Sequence, residues 1–253
     1  MIRRFNRFEL KYIIRNDERD AIRADLMKNM MPDSHGNNEG FYRVTSLYYD
    51  TPEVSCFWSK VEGIKFRRKV RIRIYGRHNE SDDQLAMTEI KQRINRTVQK
   101  RRVALPLDQA YALCEGADSY IFEEPADRAV ASEIQFLACS MHLKPACVIS
   151  YLRQAWVGSR YEPGLRITFD EDLSCRGPED GLGPKMPTHF FMPPDWLIME
   201  VKADEAVPLW VTHMLSRHQC SLRRISKYCS GLALLRSLER SDELSRGESW
   251  TSC

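Results

Sequence analysis

Residues 67–75 read Arg-Arg-Lys-Val-Arg-Ile-Arg-Ile-Tyr, a strict alternation that puts Lys69, Arg71 and Arg73 on one face of a strand and Val70, Ile72 and Ile74 on the other. One face is cationic and the other apolar. The pattern recurs in Met87–Asn95, where Glu89, Lys91 and Arg93 share one parity, and in Leu197–Lys202, where Glu200 and Lys202 alternate with Leu197, Met199 and Val201. Phe8–Ile14 sets Glu9 and Lys11 against Phe8, Leu10 and Tyr12. Val148–Ala155 carries Tyr151 and Arg153, and Leu165–Asp170 alternates Arg166, Thr168 and Asp170 with Leu165, Ile167 and Phe169. Arg43–Tyr49 and Val98–Leu105 bring the strands to about eight.

Two arrangements satisfy this pattern. One is an open sheet with helices on its apolar face and its charges in water; the other is a closed barrel with helices outside and a charged lumen. Antiparallel sheets commonly leave one face wet, so a single charged strand face favours the first. The repetition shifts the balance toward the second. So many Lys and Arg side chains gathered on one side repel one another unless an anion lies between them. Eight strands is also about the number at which a barrel first encloses room for one slender ligand.

Helical periodicity appears at Asp17–Met31, Pro52–Val61, Leu107–Glu115, Pro125–Met141, Val207–His218 and Gly231–Leu238. Pro106-Leu-Asp and Pro125 are good helix starts. These helices can cover the apolar outer face. Arg176–Pro194, rich in Gly and Pro, reads as a long loop, residues 1–238 read as one domain, and residues 239–253 as a polar, mobile tail.

With 253 residues, 43% of them apolar, the chain can bury a sizeable core. Lys and Arg total 38 against 35 acidic residues, and a net charge of +3 is not that of a generic nucleic-acid or membrane binder. Any strong field must come from clustering. The N-terminus lacks the apolar run of a signal peptide, and no uninterrupted apolar stretch reaches the roughly 18 residues that span a bilayer. The chain reads as cytoplasmic. Its 8 cysteines include no Cys-x-x-Cys pair and read as reduced thiols. His213 and His218 are five apart, not at the i,i+4 spacing that presents two imidazoles to one metal. No Gly-rich phosphate loop, dinucleotide fingerprint or Gly-x-Ser-x-Gly elbow is present.

Nine short motifs in order resemble a known family: Phe-Glu-Leu-Lys-Tyr (8–12), Tyr-Tyr-Asp-Thr-Pro (48–52), Arg-Ile-Arg (71–73), Glu-Ile-Lys (89–91), Lys-Arg-Arg-Val (100–103), Tyr-Leu-Arg (151–153), Arg-Ile-Thr-Phe-Asp (166–170), Met-Glu-Val-Lys (199–202) and Ser-Lys-Tyr (226–228). The order is similar to that of the catalytic domain of the vacuolar transporter chaperone (VTC) complex, a polyphosphate polymerase. That family lies within the triphosphate tunnel metalloenzymes, and the resemblance runs from Arg4 to about Leu235. It implies an α+β fold: a closed antiparallel eight-stranded β-barrel with helices packed outside.

The resemblance also implies site residues. Lys11, Arg71, Arg73, Lys91, Lys100, Arg153, Lys202 and Lys227 match the family's phosphate ligands, Tyr151 and Ser226 match hydroxyl donors, and Glu200 matches the metal carboxylate. Arg166 matches a further lumen base, and Arg93 and Arg102 share the parity of these ligands. Lys100, not Arg101, faces inward if Val103 and Leu105 point to the outer helices. Strand parity reaches most of these residues independently.

A triphosphate carries about four negative charges, and one carboxylate plus phosphate oxygens suits a hard divalent ion, Mn²⁺ or Mg²⁺. The expected partners are ATP, triphosphate and polyphosphate. Hydrolytic branches of the superfamily open with Glu-x-Glu-x-Lys, whereas this chain has Arg7-Phe-Glu9-Leu-Lys11. The arginine weakens a two-metal hydrolase reading. Glu9 and Glu89 stay open between metal ligation and structural ion pairs. A tripolyphosphate or nucleoside-triphosphate hydrolase and a non-catalytic polyphosphate- or inositol-phosphate-binding module are the alternatives. Nucleic acid is disfavoured, because the strand aromatics mostly share parity with the apolar side. Eukaryotic relatives couple synthesis to membrane translocation; here such a membrane partner would be a separate polypeptide.

Overall fold

The computed structural model describes residues 7–76, 85–95, 97–117, 122–179, 181–183, 189–204 and 206–248. In chain order the elements are β1 (Arg7–Arg15), α1 (Asn16–Leu26), β2 (Met30–Pro32), β3 (Phe41–Asp50), α2 (Ser55–Val61), β4 (Phe66–Tyr75), β5 (Leu85–Ile94) and β6 (Thr97–Pro106). There follow α3 (Leu107–Cys114), α4 (Pro125–Ser140), β7 (Lys144–Gly158), β8 (Arg166–Arg176), β9 (His189–Phe190), β10 (Trp196–Asp204), α5 (Leu209–Arg217) and α6 (Lys227–Glu248).

All strand pairs are antiparallel, and eight strands form one path, β1-β10-β8-β7-β3-β4-β5-β6, with β2 and β9 added beside β7 and β8. Closure into the expected barrel is not seen among the described residues. Among the described residues no ladder joins β1 to β6, and the sheet is an open, curled half-barrel. Its two ends are linked differently. The Lys91 ammonium on β5 lies 3.2 Å from Glu9 Oε1 on β1. Leu222 forms a bridge with Tyr12, and the Arg223 amide donates to the Lys11 carbonyl at 2.8 Å, so the segment leading into α6 occupies part of the free edge of β1. That edge is therefore covered by coil rather than by a strand.

The alternation of apolar and charged residues sorts the packing. On one flank of the convex face Ile72, Ile90, Val103 and Leu105 pack with Leu113, Ile134 and Leu137 of α3 and α4. On the other flank Ile14, Ile167, Met199 and Val201 pack with Ile22 and Leu26 of α1 and Val211 and Met214 of α5. The concave face is not wholly polar. Val44, Tyr48, Ile149, Tyr151 and Ile198 meet Tyr228 and Leu232 of α6 there.

Several boundaries differ from the periodicity. The helix expected over 17–31 stops at Leu26, and Met30–Pro32 pairs with β7 instead: Pro32 disfavours a helical Met31, and the sheet supplies hydrogen bonds. The Gly/Pro-rich loop over 176–194 contains the short strand β9. The last helix starts at Lys227 and continues to Glu248, past the expected end at Leu238. Gly231, read as the start of that helix, lies inside it. A Cβ there would stand 2.4 Å from Ile149 Cδ1 and 3.0 Å from Cys175 Cβ, so glycine lets α6 sit this close to β7 and β8 without displacing Ile149. The β5–β6 turn uses Asn95 at φ 55°, a conformation asparagine tolerates. Among the described residues no helix is long and apolar enough to cross a membrane.

Candidate functional site

Facing residues of an antiparallel pair lie on the same side of the sheet. The registers Lys11↔Glu200, Glu9↔Lys202, Arg153↔Asp170, Ser46↔Arg73, Arg71↔Glu89 and Lys91↔Lys100 therefore place these side chains together on the concave face. Arg101 lies on the other face, where it is forked onto Glu133 of α4 at 2.6 and 2.8 Å. Lys100 is the inward member of that pair, as Val103 and Leu105 in the outer core require.

One network centres on Glu200. Its Oε1 accepts from Lys227 at 2.8 Å and lies 3.1 Å from Lys11; its Oε2 lies 3.0 Å from Lys202. Lys227 also reaches Asp170 at 2.5 Å, and Arg153 is forked onto Asp170 at 2.6 and 2.8 Å. Burial opposes the charge on Glu200, yet the surrounding ammoniums hold its carboxyl well below the usual range. Burial likewise opposes ionisation of Glu9, and Lys91 and Lys11 outweigh it, lowering its pKa to about 2. Lys202, half-buried, is lowered to about 8 by that burial despite Glu200.

A second network centres on Glu89, which is fully buried. It accepts from Arg71 at 2.5 and 2.7 Å and from Lys100 at 2.9 Å. Arg71 also donates to the Tyr48 hydroxyl at 2.9 Å. Burial raises the Tyr48 phenol, but Arg71, Arg73 and Lys69 outweigh it and bring it down to about 8. Arg73, also buried, donates to Ser46 Oγ at 2.9 Å and stands 3.4 Å from the Tyr151 hydroxyl. Among the described residues it has no carboxylate partner.

Lys11, Arg71, Arg73, Lys91, Lys100, Arg153, Lys202 and Lys227 are thus brought together with only Glu9, Glu89, Asp170 and Glu200 among them, an excess of at least four positive charges. Tyr151 sits beneath Arg153 and Lys227, their charged groups 5.2 and 4.9 Å from its ring centroid. Ser226 stands just ahead of α6, where its Oγ accepts from the Cys229 amide at 3.3 Å; its own proton remains available to donate. Arg166 faces Lys202 across the β10–β8 ladder, and its guanidinium is held by Asp33 at 2.5 Å and the Tyr42 hydroxyl at 2.8 Å. Arg102 faces Glu89, and Arg93 donates to the Asn95 carbonyl at 2.8 Å; both are exposed. Among the described residues none of the three pairs with a carboxylate of the two networks.

Asp170, Tyr48, Ser46 and Lys69 belong to the site without having been singled out from the sequence. Asp170 and Lys69 carried the signal, each alternating in phase with a candidate cation. For Ser46 there was none.

Among the described residues no three His, Cys, Asp or Glu side chains converge on a common point. Both oxygens of Glu200 are within 3.1 Å of ammonium groups. One carboxylate engaged by three ammoniums does not cage an ion; a hard divalent ion here would take its remaining ligands from phosphate oxygens and water.

A curled antiparallel sheet with a charged concave face and helices on its convex side defines the class as an α+β half-barrel. The chain matches the VTC domain over residues 6–236 and belongs to that family. Its fold is similar to the crystal structure of a "putative adenylate cyclase" from Bacillus halodurans, with a TM-score of 0.50 and 12% identity over 86% of this chain and 92% of that one. No curated protein matches the chain by sequence.

Proposed function

We propose that the chain transfers the γ-phosphoryl group of ATP to the terminal phosphate of a growing polyphosphate chain held along the concave face. The observation that carries this reading is the excess of at least four positive charges around Glu200 and Glu89, close to the charge of about four that a triphosphate brings. A fold does not leave so many cations uncompensated without cost.

In this reading Lys11, Arg71, Arg73, Lys91, Arg153 and Lys202 neutralise the oxygens of the reacting phosphates and hold them in line. Lys100, Lys227 and the hydroxyls of Tyr151 and Ser226 hold the neighbouring phosphates. Arg166 extends the basic surface at one end, and Arg93 and Arg102 stand on the rim. The bond between the γ-phosphorus and the β,γ-bridging oxygen breaks, its electron pair leaves with ADP, and a terminal phosphate oxygen of the acceptor forms the new bond. No protein nucleophile is needed, because positioning and charge stabilisation supply most of such a reaction. A divalent ion, Mn²⁺ or Mg²⁺, held between Glu200 and phosphate oxygens would draw charge from the leaving group.

Arg7 stands where hydrolytic relatives carry a first glutamate, so a second ion to activate water lacks that carboxylate. The test is incubation with ATP and Mn²⁺, resolving products by length while following ADP and free phosphate. Long chains with stoichiometric ADP support the polymerase. Free phosphate without chains would make the protein a hydrolase, and neither product would make it a binding module.

A further inference from the structure

The end of the sheet built by α2, the start of β4 and the end of β5 carries side chains that the two networks do not use. Trp58, Val61, Ile64, Phe66 and Ile94 are each at least 40% exposed. They lie together. Phe66 is the register partner of Ile94, the Ile64 amide donates to the Ser59 carbonyl at 3.0 Å, and the Asn95 amide donates to the Lys65 carbonyl at 2.9 Å.

Cations are interleaved with them. Arg67 is the register partner of Arg93, and the Arg68 guanidinium lies 5.1 Å from the Phe66 ring centroid. Partial burial and repulsion from Arg67 lower the Lys60 ammonium, so these charges crowd one another. Among the described residues no carboxylate pairs with Lys60, Lys65, Arg67 or Arg68, and Glu62 is the one acidic residue between positions 57 and 68. Contiguous exposed apolar patches of this kind mark interaction surfaces.

We propose that this rim docks on an anionic lipid bilayer. Aromatic and aliphatic tips enter the boundary between headgroups and acyl chains, while Lys and Arg stems lie along it with their charges among the phosphates. Nucleic acid fits less well: Val61, Ile64 and Ile94 have no ring on which a base could stack. Protein interfaces are depleted of charge at their centre, whereas here Arg68 lies over Phe66 and Lys60, Lys65 and Arg67 stand in the same segment as Trp58, Val61 and Ile64. Docking would turn the end of the concave face nearest Lys69 toward the membrane, whichever phosphate compound that face takes.

The test is flotation of the full chain with vesicles of phosphatidylcholine alone, and with about a third of the lipid replaced by phosphatidylserine. Binding is expected only to the anionic vesicles. Trp58→Ser with Ile64→Ser should weaken it roughly tenfold or more without changing the melting temperature or tripolyphosphate affinity. Lys65→Gln with Arg68→Gln should weaken it about fivefold for each charge removed. No binding to anionic vesicles would overturn the proposal. So would binding untouched by the Trp58 and Ile64 changes, which would trace the attraction to the concave face alone, or tighter capture of oligouridylate lost in the same variant.

Discussion

The Lys227 ammonium donates to Glu200 Oε1 at 2.8 Å, which fastens the first residue of α6 to β10 inside the curl of the sheet. Glu200 at the same time neutralises Lys11 and Lys202. Glu200→Gln would leave three enclosed ammoniums without their shared counter-charge. Breaking a buried pair in this way costs about 3–5 kcal/mol, so the ligand-free variant should melt at a lower temperature. Tripolyphosphate supplies the missing negative charge and should restore stability, with affinity within about tenfold of the parent while turnover is lost. Melting curves with and without tripolyphosphate, alongside ATP turnover, check this. A variant that turns over normally, or stays unfolded with ligand present, would sink the role given to Glu200.

Arg73 and Arg153 are both buried cations, but Arg153 already holds Asp170 in a fork, whereas among the described residues Arg73 donates to hydroxyls and to no carboxylate. A guanidinium with no carboxylate is the one ready for a ligand oxyanion. Arg73→Gln should therefore weaken tripolyphosphate binding about 10- to 100-fold, at 1.5–3 kcal/mol for a charged hydrogen bond, with little loss of stability. Arg153→Gln should chiefly lower the melting temperature, because it strips Asp170 of its fork. Calorimetric titration and thermal melting of both variants test the order. The reverse order would mean that Arg153 releases Asp170 when ligand binds.

Tyr228 ties α6 to α2, its hydroxyl donating to the buried carboxylate of Asp50, which also accepts from the amides of Cys56 and Phe57. Tyr228→Phe leaves that carboxylate one donor short, a cost of about 1–3 kcal/mol. Because Lys227 and Ser226 keep their places, tripolyphosphate affinity should change less than about twofold while the melting temperature falls by a few degrees. A loss of affinity larger than the loss of stability would show that the whole first turn of α6 shifts.

Alternation told which residues face inward because a period of two survives any curl of the sheet: Lys11, Arg71, Arg73, Lys91, Arg153 and Lys202 all lie where parity puts them. It could not tell how far along the curl each one stands. Arg93 has the parity of Lys91 and Arg102 that of Lys100, yet among the described residues neither reaches Glu9 or Glu89 as Lys91 and Lys100 do. Nor does alternation say whether first and last strands pair. Beside β1 the described residues show Leu222 bridging Tyr12, a contact between coil and strand that no periodicity announces. Gly231 looked like a helix boundary because glycine is unfavourable inside helices; the approach of Ile149 that requires it is a tertiary fact.

Two groups on the concave face change charge near pH 8. Burial lowers Lys202 from 10.5 to about 8, and the neighbouring cations, overcoming burial, lower Tyr48 from 10.0 to about 8. Raising the pH through about 8 therefore makes Lys202 neutral and Tyr48 negative, and both changes reduce the attraction for phosphate. Tripolyphosphate affinity should fall across this range even though the ligand itself gains negative charge. Stability should move the other way. Each group binds fewer protons folded than unfolded between about 8 and its ordinary value, so its contribution to stability rises with pH over that window. Lys202→Arg combined with Tyr48→Phe removes both titrations. Against that variant, the parent should lose affinity and gain relative stability as the pH goes from about 7 to about 9.5. Parallel curves for the two proteins would mean that neither group titrates there.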